Sequence, residues 1–134
     1  MTEQSVETLR ALIVTDNRPV AALLQGILKD LKLLRADCAD SLAGADSILN
    51  VLGYDALFID CEITGQDPYA FVSYLRTNSE YNTMAVVLCA SEQSQQRAIK
   101  ALDEGATTYL IKPMTNETVL ATLHTLQSWR RSAA

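Results

Sequence analysis

Two carboxylates and one lysine stand at the ends of apolar runs in this chain. Asp60 ends Tyr54–Asp60, whose middle, Ala56-Leu57-Phe58-Ile59, is continuously apolar. Asp16 follows the run Leu9–Val14 and Thr15, and Lys112 follows Thr107–Ile111. Hard oxygen donors suit Mg²⁺, which takes one or two carboxylates together with waters and phosphate oxygens. A lysine can ion-pair with a phosphoryl oxygen. Asp60 can then serve as a nucleophile that forms an aspartyl phosphate, a known mode of covalent catalysis. The plainer reading is a Lys112–Asp60 salt bridge that closes a sheet edge.

These residues meet only if the elements before them converge. Short apolar runs ending in polar loops read as strands buried on both faces. Leu9–Val14, Tyr54–Asp60 and Met84–Cys89 are the most apolar, and Leu33–Ala39 and Thr107–Ile111 are shorter or more mixed. Between them the spacing predicts helices. Asn17 caps the first, with Pro19 in its first turn and an apolar face of Val20, Leu23, Leu24, Ile27, Leu28 and Leu31. Ser41 caps the second, which runs through Leu52 to a stop at Gly53. Pro68 opens the third, which ends near Asn78. A polar fourth helix spans about 92–104, with Ala98, Ala101 and Leu102 as its modest apolar side, and Gly105 ends it. Thr115 caps the last, lined by Val119, Leu120, Leu123, Leu126 and Trp129, with Glu117 near its start and Arg130 and Arg131 at its end. Five β–α units in strict alternation predict a parallel sheet covered by helices on both faces. The most apolar strands belong in the middle, which predicts the doubly wound, flavodoxin-like order 2-1-3-4-5. In that order the first and third strands are neighbours. Asp16, Asp60 and Lys112 then share the C-terminal edge, where open α/β sheets place their ligands.

Composition bounds the rest. The 134 residues predict one domain, 1–134, with its core about 9–129. Eleven basic against sixteen acidic residues give a net charge of −5, scattered along the chain, which disfavours non-specific nucleic-acid binding. Cys38, Cys61 and Cys89 are odd in number and widely spaced, and only His124 could add a nitrogen ligand, so neither a zinc site nor a disulfide framework is expected. Met1–Glu7 is polar and acidic, unlike a signal peptide, and no apolar stretch reaches membrane-spanning length. A reducing cytoplasm is the expected location.

From Leu9 to Trp129 the chain resembles the CheY-like receiver domain of bacterial two-component response regulators. The resemblance rests on Leu-Ile-Val-Thr-Asp-Asn (12–17), Leu-Phe-Ile-Asp (57–60), Gly-Ala-Thr-Thr-Tyr-Leu-Ile-Lys-Pro (105–113), and their order and spacing. It implies a signalling domain in a phosphorelay rather than an enzyme in the usual sense. Asp60 would accept a phosphoryl group from a histidine kinase or histidine phosphotransfer protein. Asp16, Asp60 and the backbone carbonyl of Glu62 would hold Mg²⁺. Lys112 would pair with the phosphate, its peptide bond to Pro113 would be cis, and Tyr109 would be a rotameric switch. Receivers commonly dimerise or engage partners through the face formed here by helix 92–104, strand 107–111 and helix 115–129. Specificity on that face is expected from Gln95, Gln96, Arg97 and Lys100. The chain departs from the family where Thr15 replaces an acid. It departs again where Ala90 takes the place of a hydroxyl residue at the end of the fourth strand, with Ser91 one position later. Thr64 and Pro68 replace the usual Pro and Gly of the loop after Asp60. These departures predict weak Mg²⁺ binding and a weakened link between phosphate and switch.

Other readings compete. The same departures suit a degenerate pseudo-receiver, a phosphorylation-independent interaction or dimerisation module. Asp60-Cys61-Glu62-Ile63-Thr64 resembles the Asp-x-Asp-x-Thr motif of haloacid-dehalogenase-type phosphatases, but lies on the third strand and lacks the downstream acidic motif. Cys61 as a redox sensor and His124 as a phosphotransfer residue are both outweighed by plain structural roles.

Overall fold

The computed structural model describes residues 6–78 and 80–133. Most of the Met1–Glu7 reading and the side chains of Arg130 and Arg131 lie outside the described residues. Five strands and five α-helices alternate among the described residues. They are β1 Arg10–Val14, α1 Arg18–Asp30, β2 Arg35–Ala39, α2 Leu42–Leu49, β3 Ala56–Asp60, α3 Pro68–Thr77, β4 Ala85–Ala90, α4 Gln95–Leu102, β5 Thr108–Ile111 and α5 Asn116–Ala133. All strand pairs are parallel, in the flavodoxin-like order β2-β1-β3-β4-β5.

Strand residues alternate between two apolar layers, as the two-residue strand period requires. Leu12, Val14, Leu57, Ile59, Val86 and Leu88 face a core closed by Leu49 of α2, Val72 and Leu75 of α3, and Ala98 and Ala101 of α4. Ile13, Phe58, Val87 and Cys89 face the other core, closed by Leu24, Ile27 and Leu28 of α1 and by Val119, Leu123 and Leu126 of α5. The runs read as wholly apolar are therefore the strands with helices on both sides. β3 and β4 are buried at every position.

The helix starts follow their capping residues. Asn17 Oδ1 accepts the Val20 N–H at 3.1 Å, and Ser41 Oγ accepts that of Gly44 at 2.9 Å. Thr115 Oγ1 accepts that of Thr118 at 3.1 Å. Asp67, just before Pro68, caps α3 by accepting the N–H groups of Tyr69 and Ala70. Gly105 has φ +120°, and a Cβ there would stand 2.7 Å from Arg76 Cγ, so glycine is required on both counts.

β1, β3 and β5 start one or two residues later than the sequence reading, and four other boundaries differ from it. α2 ends at Leu49 rather than Leu52. Val51 is 80% exposed and has no core to face, while Asn50 Oδ1 accepts the Tyr81 hydroxyl at 2.6 Å and holds the chain in a turn. The fourth helix is a 3-10 turn, Glu92–Ser94, followed by the shorter α4, and Leu102 is among its more exposed residues. β4 is shifted by one residue and includes Ala90, which pairs with Ile111. β2 starts at Arg35, because Leu33 and Leu34 form the approach to it, with the Leu34 N–H on Leu9 O.

Candidate functional site at the C-terminal sheet edge

The parallel ladder runs one residue beyond the strands at this edge. The Thr15 N–H bonds Ala39 O at 3.0 Å, the Cys61 N–H bonds Cys89 O at 2.8 Å, and the Lys112 N–H bonds Ala90 O at 2.9 Å. Residues that begin loops are thereby held as firmly as strand residues. The peptide bond from Lys112 to Pro113 is cis.

Asp60 lies at the centre, only 3% exposed. A buried carboxylate is tolerated only when paired and hydrogen-bonded. Here Oδ1 accepts from Lys112 Nζ at 2.7 Å and from the Glu62 N–H at 2.9 Å, and Oδ2 accepts from the Thr15 hydroxyl at 2.6 Å. The Lys112–Asp60 salt bridge anticipated as the plainer reading is therefore present, within a site that offers more than a bridge. Thr15, the residue standing where an acid was expected, supplies a neutral donor to Asp60 and accepts the Asn17 N–H at 3.1 Å.

Asp16 is placed differently from Asp60. It is exposed, and its Oδ2 accepts the Thr64 N–H at 3.2 Å. This draws the loop after β3 toward the end of β1. Gly65, at φ +69°, makes the turn, and Gln66 Oε1 accepts the Leu42 N–H at 2.7 Å.

Glu62 holds a position that its carbonyl role did not suggest. Its side-chain Oε1 accepts from Lys112 Nζ at 2.8 Å. The same carboxylate accepts the Ser91 N–H at 3.2 Å and the Ser91 hydroxyl at 3.4 Å, and bonds the Ser94 side chain. Burial pushes the Glu62 pKa up, but the hydrogen bonds and charge of Lys112, with the bond to Ser94, outweigh it, so the net shift is below the ordinary value of 4.5. Burial likewise works to lower the Lys112 pKa, and the two carboxylates reverse it, leaving Lys112 above 10.5.

Ala90 is fully buried and Tyr109 is half-buried against the same core cluster. Ala90 ends β4 in register, so no one-residue slip brings the Ser91 hydroxyl into the place of the missing one. Ser91 turns to Glu62 instead. Cys61 is half-buried, and burial pushes its thiol up to about 11, the opposite of a reactive thiolate. It hydrogen-bonds Tyr69. His124 is exposed on α5.

The donors present suit Mg²⁺ in kind, being carboxylate, carbonyl and hydroxyl oxygens. They are poor in charge, since Thr15 is neutral and the Glu62 carboxylate is committed to Lys112. Among the described residues no cluster of three His, Cys, Asp or Glu side chains is arranged to hold a metal. Also among the described residues, no helix is long and apolar enough to cross a membrane.

Two residues of this region were not legible in the sequence. The Glu62 side chain is one, because its reach to Lys112 depends on β3 and β5 flanking β4. Arg97, expected among the residues that give specificity to the outer face of the fourth helix, lies 3.9 Å over the Tyr69 ring and pairs with Glu104 at 3.0 Å.

Known proteins resemble this chain in sequence and in fold. Residues 11–124 match the model of the response regulator receiver domain. The chain is 23% identical over 113 residues to the chemotaxis protein CheY-3 of Vibrio cholerae, covering 84% of this chain and 87% of that protein. It is also 23% identical over 107 residues to the sensor histidine kinase CheAY of Helicobacter pylori, covering 79% of this chain but only 13% of that protein. The structure of the chemotaxis response regulator CheY4 of Vibrio cholerae superposes with a TM-score of 0.79 at 23% identity, covering 89% of this chain and 98% of that one. None of these relatives favours the degenerate-module alternative. With its strand order, its acid at the end of β3 and a family match over most of its length, the chain belongs to the response regulator receiver domains, the CheY-like signalling domains of two-component systems.

Proposed function

We propose that Asp60 is the phosphoacceptor of a single receiver unit, with its core about 9–129. The observation that carries this is the buried Asp60 carboxylate bonded to Lys112 Nζ at 2.7 Å at the C-terminal sheet edge. An Asp60 oxygen attacks phosphorus, the bond from phosphorus to the donor's histidine nitrogen breaks, and that nitrogen keeps the electron pair. Lys112 stabilises the charge on the transferred group. Asp16, Asp60 and the Glu62 carbonyl would hold Mg²⁺, weakly. Bound there, Mg²⁺ would neutralise phosphoryl charge. The domain thus assists its own phosphorylation and dephosphorylation without being an enzyme in the usual sense. A small phosphodonor such as acetyl phosphate should therefore suffice.

The partner is a histidine kinase or histidine phosphotransfer protein, in the cytoplasm, away from membrane and nucleic acid. The switch runs from Ala90 and Ser91 to Tyr109, and the output face is α4, β5 and α5, where Ile99 and Leu102 are each 37% exposed beside Lys100. The test is intact mass after incubation with acetyl phosphate and Mg²⁺. One phosphoryl adduct on the wild type and none on Asp60→Asn is the expected result. An adduct retained by Asp60→Asn would place the acceptor elsewhere.

A further inference from the structure

The Glu62 carboxylate bonds both Lys112, the charged partner of Asp60, and Ser91, the residue after β4. Lys112 Nζ touches Asp60 Oδ1 at 2.7 Å and Glu62 Oε1 at 2.8 Å. Glu62 Oε1 and Oε2 also take the Ser91 N–H, at 3.2 and 3.4 Å, and Oε2 takes the Ser91 hydroxyl. These donors, an ammonium and a backbone amide beside an acceptor carboxylate, are the kind that bind phosphoryl oxygens. A group transferred to Asp60 would need them, and it would carry up to two negative charges. The Glu62 side chain is 36% exposed, so it can swing into solvent without opening the core.

We propose that Glu62 is a built-in anion that occupies the place of the incoming phosphoryl oxygens, so that phosphorylation proceeds by displacing Glu62 from Lys112 and Ser91. This rests on Asp60 being the phosphoacceptor. Before transfer, Glu62 makes the site more negative toward a dianionic donor and keeps Lys112 engaged. After transfer, one anion has replaced another on the same donors. Glu62 is thus a gating residue for the reaction, acting through Lys112 and Ser91. Thr15 fits this arrangement. With a neutral residue at that position, the site holds Asp16, Asp60 and Glu62 against Lys112, and Glu62 is the acid free to leave.

The test compares wild type with Glu62→Ala and with Glu62→Gln, which keeps the side-chain volume. The rate of adduct formation from acetyl phosphate, read by intact mass, is expected to rise about five-fold or more in Glu62→Gln, the worth of one unit charge ~4 Å away in a water-like dielectric. In unphosphorylated protein, the ¹H–¹⁵N resonance of the Ser91 amide should move in Glu62→Ala. Addition of beryllofluoride should then move it further in that variant than in wild type, where one anion merely replaces another. An adduct that forms at equal or lower rate in both variants overturns the gating role alone. A Ser91 amide unmoved by Glu62→Ala overturns it as well. No adduct on wild type or either variant overturns the phosphoacceptor reading, and the gate with it.

Discussion

At the residue scale the site is defined by what surrounds one buried carboxylate. Thr15 donates to Asp60 Oδ2 from a position that is itself 4% exposed. Thr15→Asp would set a second acid against Asp60 in place of a donor. It should cost roughly 2–4 kcal/mol in metal-free urea denaturation, the scale of an uncompensated buried charge. Mg²⁺ should restore more stability to the variant than to wild type, because a ligand that binds only the folded state stabilises in proportion to its affinity. Equal Mg²⁺ responses would remove Thr15 from the metal site. Ala90→Thr should return a hydroxyl to the end of β4, where it can make a charge-assisted hydrogen bond to a phosphoryl group. Beryllofluoride-induced NMR shifts around Tyr109 should be larger in that variant than in wild type. Glu62 and Lys112 also carry a pH dependence. The Glu62 pKa is depressed in the fold, so its contribution to stability is complete above about 4.5 and is lost as pH falls through the lower folded value. A carboxyl NMR titration should find the Glu62 midpoint below 4.5 in wild type and higher in Lys112→Ala.

At the element scale, the edge opposite the site depends on one arginine that no motif announces. Arg76, in the last turn of α3, donates from Nε to Gly105 O at 2.7 Å and from Nη1 to Met84 O at 2.6 Å and Tyr81 O at 3.2 Å. Nη2 reaches the Thr107 hydroxyl at 3.3 Å, and the guanidinium lies 5.8 Å from the centre of the Trp129 ring. One side chain thus ties α3 to the approaches of β4 and β5 and to the end of α5. It also explains why Gly105 has no room for a Cβ. Arg76→Ala strands several backbone carbonyls, and hydrogen bonds to charged groups are worth about 1.5–3 kcal/mol each. A loss of about 3 kcal/mol in chemical denaturation is expected, with acetyl phosphate labelling of the folded fraction intact. Arg76→Lys should recover only part of it, since an ammonium cannot match the planar fork.

For the whole molecule, the question is how the site reaches its partners. α4 is short, rests on Ala98 and Ala101, and is pinned by Arg97 on Tyr69 of α3. Tyr69 in turn bonds Cys61, next to Asp60. Arg97 therefore ties α4, through Tyr69, to Cys61 beside Asp60. Arg97→Glu should lower stability by about 1 kcal/mol or more, through loss of the cation–π contact. Lys100→Glu should leave the melting temperature unchanged while weakening self-association or partner binding, because rim charges act mainly on encounter and orientation. Sedimentation and thermal denaturation of the two variants separate these outcomes. Equal effects on both variants would return Arg97 to the rim.

Sequence alone determined the architecture. Apolar runs of strand length, helical spacing between them and recognisable caps such as Asn17, Ser41 and Thr115 each constrain their own neighbourhood, and strict alternation leaves few ways to assemble them. The burial order of the runs placed Asp60, Asp16 and Lys112 at one edge. Helix ends at Asn50 and Leu102 were less legible, because periodicity does not record where the core stops. What only the tertiary structure decided is which polar groups pair across that edge. Asp16 holds Thr64 rather than Asp60, Thr15 donates to Asp60, and Glu62 bridges Lys112 and Ser91. These contacts join residues up to 50 positions apart. Their geometry depends on sheet twist, register and rotamer, none of which leaves a periodic trace in the chain.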